Sequence, residues 1–244
     1  MTSWNNYIFE DIPFDQKAFK VFEFQYENNP VYQKFCQSLT VGPADISKLS
    51  DIHLYPVNGF KEVPVLTDAK PGDAELIFQS SGTSGMERAH HYIKDASLYR
   101  DAILQGIRSF YPLDDMIVWG YTPGYNENDQ SSLIWMIQTL IDQDESGLSQ
   151  FLPVGEKIDP SLIEEVRQAG KKVLLFGAAF GLIDYMQQFE PLNLPKGSIV
   201  METGGMKTHK REMTRNKMHR TLAKGFGVDR LQVHSEYGMT EMLS

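Results

Sequence analysis

One cysteine, Cys36, stands in a chain of 244 residues. It cannot form an intramolecular disulfide, and it excludes a cysteine-rich zinc module. No stretch approaches the roughly 18 apolar residues that a membrane-spanning helix needs. The opening from Met1 to Glu10 also lacks the charged-then-apolar pattern of a secretory signal. Positive charge is in deficit: 23 Lys and Arg face 32 Asp and Glu, for a net charge of −9. That balance argues against duplex nucleic acid or an anionic membrane surface as the main partner, although a local basic patch can still hold an anion. These deficits together predict a soluble, cytoplasmic protein.

No internal repeat or low-complexity segment is present either. Hydrophobic residues make up 41% and charged residues 23% of the chain, which excludes a disordered chain and a coiled coil. The length suits one large domain or two small ones and is ample for a full core. Two regions differ in pattern. Residues 1–74 read as an aromatic-rich, helical segment. Phe14, Ala18, Phe22 and Tyr26 recur at four-residue spacing, Pro30 interrupts, and Val31, Phe35 and Leu39 resume. Residues 41–74 carry several Pro and Gly and read as irregular structure.

Residues 75–244 read as an α/β core. Apolar runs at 75–79, 116–121, 172–177, 198–202 and 230–235 alternate with helical stretches near 95–110, 129–142, 159–169, 178–189 and 209–225. Asp159-Pro160 is a good helix start and Gly170 a good stop. Continuous apolar strands alternating with helices predict a largely parallel sheet with flanking helices. Ligands of such sheets bind outside the carboxyl ends of the strands, so chemistry belongs in the loops that follow them.

Two of those loops carry suitable groups. Gln79-Ser80-Ser81-Gly82-Thr83-Ser84-Gly85 offers glycines, which let backbone N–H groups approach a ligand, and hydroxyls suited to phosphate oxygens. It is neither a Walker A loop nor a dinucleotide fingerprint, and composition alone leaves an ordinary surface loop open. Ser235-Glu236-Tyr237-Gly238-Met239-Thr240-Glu241 offers a flat ring, a glycine, a hydroxyl and a carboxylate. That set can stack a base, touch phosphate and hold a hard cation such as Mg²⁺, or simply form a turn into a helix.

Together the loops resemble the phosphate loop and the Tyr-Gly-x-Thr-Glu motif of the adenylate-forming superfamily. Pro123-Gly124-Tyr125-Asn126-Glu127, Ser131-Ser132-Leu133-Ile134-Trp135-Met136 and Glu202-Thr203-Gly204-Gly205-Met206-Lys207 resemble segments of its acyl-protein synthetase (LuxE) family. The resemblance implies ATP-dependent activation of a fatty acid as an acyl-adenylate. The acyl group then passes to a protein cysteine thiol and onward to an acyl reductase or other acyl-accepting protein. Aryl- and acyl-CoA ligases share the nucleotide motifs, and a nucleotide-binding module without turnover is a further alternative.

Carried over by resemblance, Ser80, Ser81, Gly82, Thr83, Ser84 and Gly85 would cradle the β- and γ-phosphates. Gly204 and Gly205 would pass beside adenine, and Tyr237, followed by Gly238, would stack on it. Thr240 would contact the α-phosphate and Glu241 would hold Mg²⁺. The superfamily's loop ends in lysine, whereas here Gly85 is followed by Met86-Glu87-Arg88, so Arg88 is the candidate for that charge. Residues Tyr121–Tyr125 and Trp135 would face the acyl group. The family continues past the last motif with a ribose-binding aspartate, a lysine-bearing C-terminal domain and an acceptor cysteine, so the chain reads as the N-terminal portion of a longer protein.

Three further features were weighed. Cys36 is read as a core residue rather than an acyl acceptor, because nothing nearby in sequence would lower its pKa. His90-His91 read as loop histidines, although His91 could reach the phosphates. Residues 206–224 hold seven Lys and Arg against a single acid, Glu212. They read as a solvated helix face, or as a face for an anion or partner.

Overall fold

A computed structural model of the chain describes residues 4–80, 88–123, 129–204 and 213–242. The chain divides into two compact units, Met1–Asp101 with Thr240–Met242, and Ala102–Met239 with Leu243–Ser244.

The first unit opens with α1 (Trp4–Phe9), α2 (Phe14–Asn28) and α3 (Pro30–Ser38). The break between α2 and α3 follows from two adjacent residues. Asn29 takes an extended conformation and its side chain accepts a hydrogen bond from the Tyr32 amide, while Pro30 occupies the first turn of α3, where no N–H is needed. Of the residues in the four-residue spacing only Phe22 is buried; α3 turns Tyr32 and Cys36 inward beside it, while Phe14 and Leu39 are exposed. Cys36 is fully enclosed, and burial pushes its thiol pKa up, which suits a core residue. The unit continues through irregular chain and the short α4 (Gly59–Glu62). It carries an open apolar pocket of about 780 Å³, with Val21, Phe22, Ile52 and Phe60 among its walls.

The apolar run at 75–79 does not join the parallel sheet. It forms β1 (Leu76–Gln79), paired antiparallel with β2 (His90–Ile93), with Leu76 opposite Ile93 and Gln79 opposite His90. The reason is chain length. Only residues 80–89 separate the two strands, and a parallel crossover needs a dozen residues or more. His90 and His91 therefore lie in a strand and not in a loop. The unit boundary falls within α5 (Ala96–Arg108).

The second unit is the expected α/β fold. Strands β3 (Met116–Tyr121), β4 (Gln150–Phe151), β5 (Lys172–Gly177), β6 (Ile199–Glu202) and β7 (Val233–Ser235) form one sheet in the order β4-β3-β5-β6-β7. Every pairing in it is parallel. Helices α6 (Ser132–Ile141), α7 (Pro160–Gln168), α8 (Ala179–Gln188) and α9 (Arg215–Phe226) make the connections. All six residues of β3 are buried, as a strand covered on both faces and paired on both edges requires. No residue pattern marks the two-residue β4, and Arg230–Gln232 is a 3-10 turn that precedes β7. Because β4 lies on one side of β3 and β5 on the other, the strand order reverses there. The carboxyl ends of β3 and β5 thus form the topological switch point.

The end of α9 is closed by the segment before β6. The amides of Leu192 and Leu194 donate to the carbonyls of Gly225 (2.7 Å) and Phe226 (3.0 Å), which no helical partner could reach. Gly227 makes this approach possible. Its φ is +67°, and an ideal Cβ there would lie 2.9 Å from the Leu192 carbonyl oxygen. Gly227→Ala should therefore lower stability by about 1–3 kcal/mol, seen in urea titration as a lower midpoint with an unchanged m-value.

Candidate functional site

The two motif loops are 161 residues apart at their point of contact, yet the first unit joins them. Ser80 prolongs the β1–β2 ladder by one residue. Its amide donates to the Ala89 carbonyl (3.0 Å) and its Oγ accepts from the Ala89 amide (2.9 Å), which closes the root of the intervening loop. Arg88 emerges from that root, exposed, and donates through Nη1 to Gln79 Oε1 at 3.4 Å. Against the same root lies the 3-10 turn Thr240–Met242. Thr240 Oγ1 donates to the Gln79 carbonyl at 3.4 Å. Ser81, Gly82, Thr83, Ser84 and Gly85 lie outside the described residues.

His91 holds the other side of this junction. Its Nδ1 is 2.9 Å from the Thr240 carbonyl. A carbonyl only accepts, so Nδ1 carries the proton and Nε2 is left as an acceptor when the ring is neutral. The His91 ring also meets Phe60, with centroids 5.3 Å apart. Burial lowers its pKa below 6.5, and the Thr240 carbonyl and the Glu241 carboxylate offset this only in part. Glu241 is partly buried in the same turn.

The remaining candidates lie in the second unit. Tyr237 is 83% exposed, so its ring faces are available for stacking, and its hydroxyl makes a 3.6 Å contact with Met239 Sδ. Gly238 is exposed too. Gly204 has φ +72°, donates to Glu202 Oε2 (3.1 Å) and accepts from the Ala179 amide (3.0 Å). Gly205 lies outside the described residues, as do Gly124–Glu127 and the basic residues Lys207, Lys210 and Arg211.

A cluster that was not read from the sequence sits at the carboxyl ends of β6 and β7. Glu202, 5% exposed, accepts from the Ser235 hydroxyl and lies 3.5 Å from His219 Nε2. Arg215 donates to Ser235 Oγ at 2.6 Å. The neighbouring Glu236 carboxyl is pushed up in pKa by burial and by the charge of Glu202. Ser235 therefore gives its proton to a carboxylate, and the root of the Tyr237 segment is tied to β6. The available signal was an acid closing an apolar strand, with Arg215 and His219 four residues apart on one helix.

The switch point holds a second unforeseen group. Tyr121 was expected to face an acyl group. Instead it is 1% exposed, its hydroxyl accepts from the Gly155 amide (2.8 Å), and its ring meets Tyr185 edge-on. It is a core residue because β3 is covered on both faces. The next residue, Thr122, is 4% exposed, and among the described residues its Oγ1 has no hydrogen-bond partner. An ideal Cβ on Gly181 would lie 3.9 Å from the Tyr121 ring, which brings the first turn of α8 to this strand end. Among the described residues no side chain caps that helix N-terminus, and the Ala179 amide donates to the Gly204 carbonyl. Among the described residues, no group of three or more His, Cys, Asp or Glu is placed to hold a metal ion.

No protein-family model matches the chain. A stretch of 66 residues is 38% identical to the long-chain-fatty-acid–luciferin-component ligase of Vibrio harveyi. The match takes in 27% of this chain and 17% of that protein, so the likeness to a fatty-acid ligase is local. No described helix is long and apolar enough to cross a membrane.

Two outcomes follow from the geometry. As pH falls through 6.5, the unfolded chain takes up the His91 proton before the folded chain does, so stability declines. His91→Gln should flatten this part of the profile, as measured by urea denaturation between about pH 5 and 7. Thr122→Val removes a buried hydroxyl with no partner while keeping the shape, and should leave stability unchanged or raise it by about 1 kcal/mol.

Proposed function

We propose that the chain is an acyl-activating ligase that uses ATP to convert a fatty carboxylate into an acyl-adenylate. The observation that carries this reading is the contact of Thr240 with Gln79. It joins the carboxyl-terminal motif to the root of the Ser/Gly loop within one unit. The local likeness to a fatty-acid ligase supports the same class of reaction.

A carboxylate is a poor electrophile, and adenylation gives it a good leaving group. One carboxylate oxygen attacks the α-phosphorus of ATP, the bond to the bridging oxygen breaks, and pyrophosphate leaves. Two anions must meet, so the chain has to supply donors where charge gathers. In this reading the backbone of Ser80–Gly85 and the Arg88 guanidinium hold the terminal phosphates. The Thr240 hydroxyl approaches the α-phosphate, with its backbone fixed by His91. Tyr237 stacks on the base beside Gly204 and Gly205, and Gly238 leaves room for it. Glu241 is a hard oxygen donor next to a hydroxyl, a donor set that fits Mg²⁺, which would offset phosphate charge when bound. The adenylate is then discharged onto a thiol, that of a protein cysteine or that of CoA.

Tyr237→Ala should weaken AMP binding by roughly 1–3 kcal/mol in calorimetry, the range for stacking a base on an aromatic ring. Glu241→Gln should retain metal-free binding while losing most Mg²⁺-dependent exchange of labelled pyrophosphate into ATP. Wild-type AMP affinity in the first variant together with wild-type exchange in the second would overturn the reading. Adding CoA or a thiol-bearing protein to the labelled adenylate separates the two acceptors.

A further inference from the structure

We infer that the second unit carries a separate binding site for an organic phosphate, in the groove along α9. The groove has a volume of about 610 Å³, within the range of small-molecule sites. Lys217, Arg220 and Lys224 line it, no described acid does, and Met186 and Pro191 add apolar wall. In sequence the three cations stand three and four residues apart, so they share one helix face over about 10 Å. Like charges at this spacing destabilise a helix, and among the described residues none of the three side chains has a hydrogen-bond or ion-pair partner. The other basic groups of the region are committed. Arg215 binds Ser235, His219 faces Glu202, and Arg230 donates to Asn216 Oδ1 at 2.6 Å.

Two polar groups at the head of the groove can donate, while the Thr221 hydroxyl already gives its proton to the Lys217 carbonyl. Arg230 takes one lone pair of Asn216 Oδ1, and the NH₂ of Asn216 can donate. Thr214 Oγ1 accepts from the Lys217 amide at 3.4 Å as the N-cap of α9, which leaves its hydroxyl proton to donate. Thr214 and Asn216 both line the groove, at the positive end of the helix. A surface of three cations, a hydroxyl proton and an amide NH₂ matches a ligand that only accepts hydrogen bonds and carries several negative charges. A di- or polyphosphate is such a ligand, and the apolar wall suits an organic group attached to it. This use of α9 is independent of the proposed adenylation chemistry.

The test uses the whole chain, titrated with inorganic pyrophosphate, ADP and hexaglutamate at low salt, by calorimetry and by backbone amide shifts. Pyrophosphate and ADP should shift the amides of Thr214, Asn216 and Lys217. ADP should bind at α9 more tightly than pyrophosphate. The triple variant Lys217→Gln, Arg220→Gln, Lys224→Gln should lose these shifts and weaken α9 binding at least tenfold, as expected for losing hydrogen bonds to charged groups. All three positions are exposed, so the fold should survive. If circular dichroism shows that it does not, Lys224→Gln alone should still weaken binding and lower its salt dependence. Tyr237→Ala should leave the α9 shifts intact, which separates failure here from failure of the proposed activity. Unchanged shifts at 214–217 on adding either phosphate would overturn the inference. So would hexaglutamate binding more tightly than ADP at these residues, an outcome that would make the groove a docking face for an acidic peptide.

Discussion

Parallel pairing is the constraint on which the second unit depends. A parallel strand cannot be reached by a tight turn, so each connection must cross back along the sheet, and here helices do so. All strand carboxyl ends then lie at one edge. Thr122, Ala178, Thr203 and Glu236 each follow directly from a strand of that sheet and so come to the same edge. The full six-residue ladder between β3 and β5 sets the register on which the rest is built. Burying both faces of β3 commits Tyr121 to the core.

The first unit solves a different problem. Its hairpin brings two polar strand ends together, and the turn at Thr240 returns from the far end of the chain to lie against them. Closing so long a loop costs conformational entropy, although that cost grows only slowly with length. The contacts that hold the turn are few and polar: a hydroxyl on the Gln79 carbonyl and an imidazole on the Thr240 carbonyl. Polar contacts of this kind have defined directions. They orient Thr240 where an apolar contact would only hold it.

Charge is distributed unevenly in the second unit. A chain of net charge −9 buries Glu202 beside hydroxyl, imidazole and backbone donors, which offsets part of the cost of removing a carboxylate from water. The same helix that contributes His219 to this cluster presents unneutralised cations on another face. Helical geometry makes the division possible, because Arg215 and His219 share one side while Lys217, Arg220 and Lys224 share another.

Much of the architecture was legible. The aromatic spacing of α2 and α3, the break at Pro30, the start at Asp159-Pro160 and the runs that became β3, β5 and β6 are local patterns read from neighbouring residues. Strand pairing is not local. The run that became β1 looks like any buried strand, and only its partner ten residues on made it a hairpin. His90 and His91 carry no apolar signal, so β2 was missed, and β4 was too short to leave one. The candidate site divides in the same way. Residue type and order determined which groups are available: the hydroxyls and glycines of Ser80–Gly85, the ring of Tyr237, the carboxylate of Glu241. Only the tertiary structure decided which of them meet. Thr240 bonding to Gln79 and the capture of Ser235 by Glu202 both join groups that are distant in sequence. Their energies depend on burial and on hydrogen-bond geometry, and neither exists until the chain has folded.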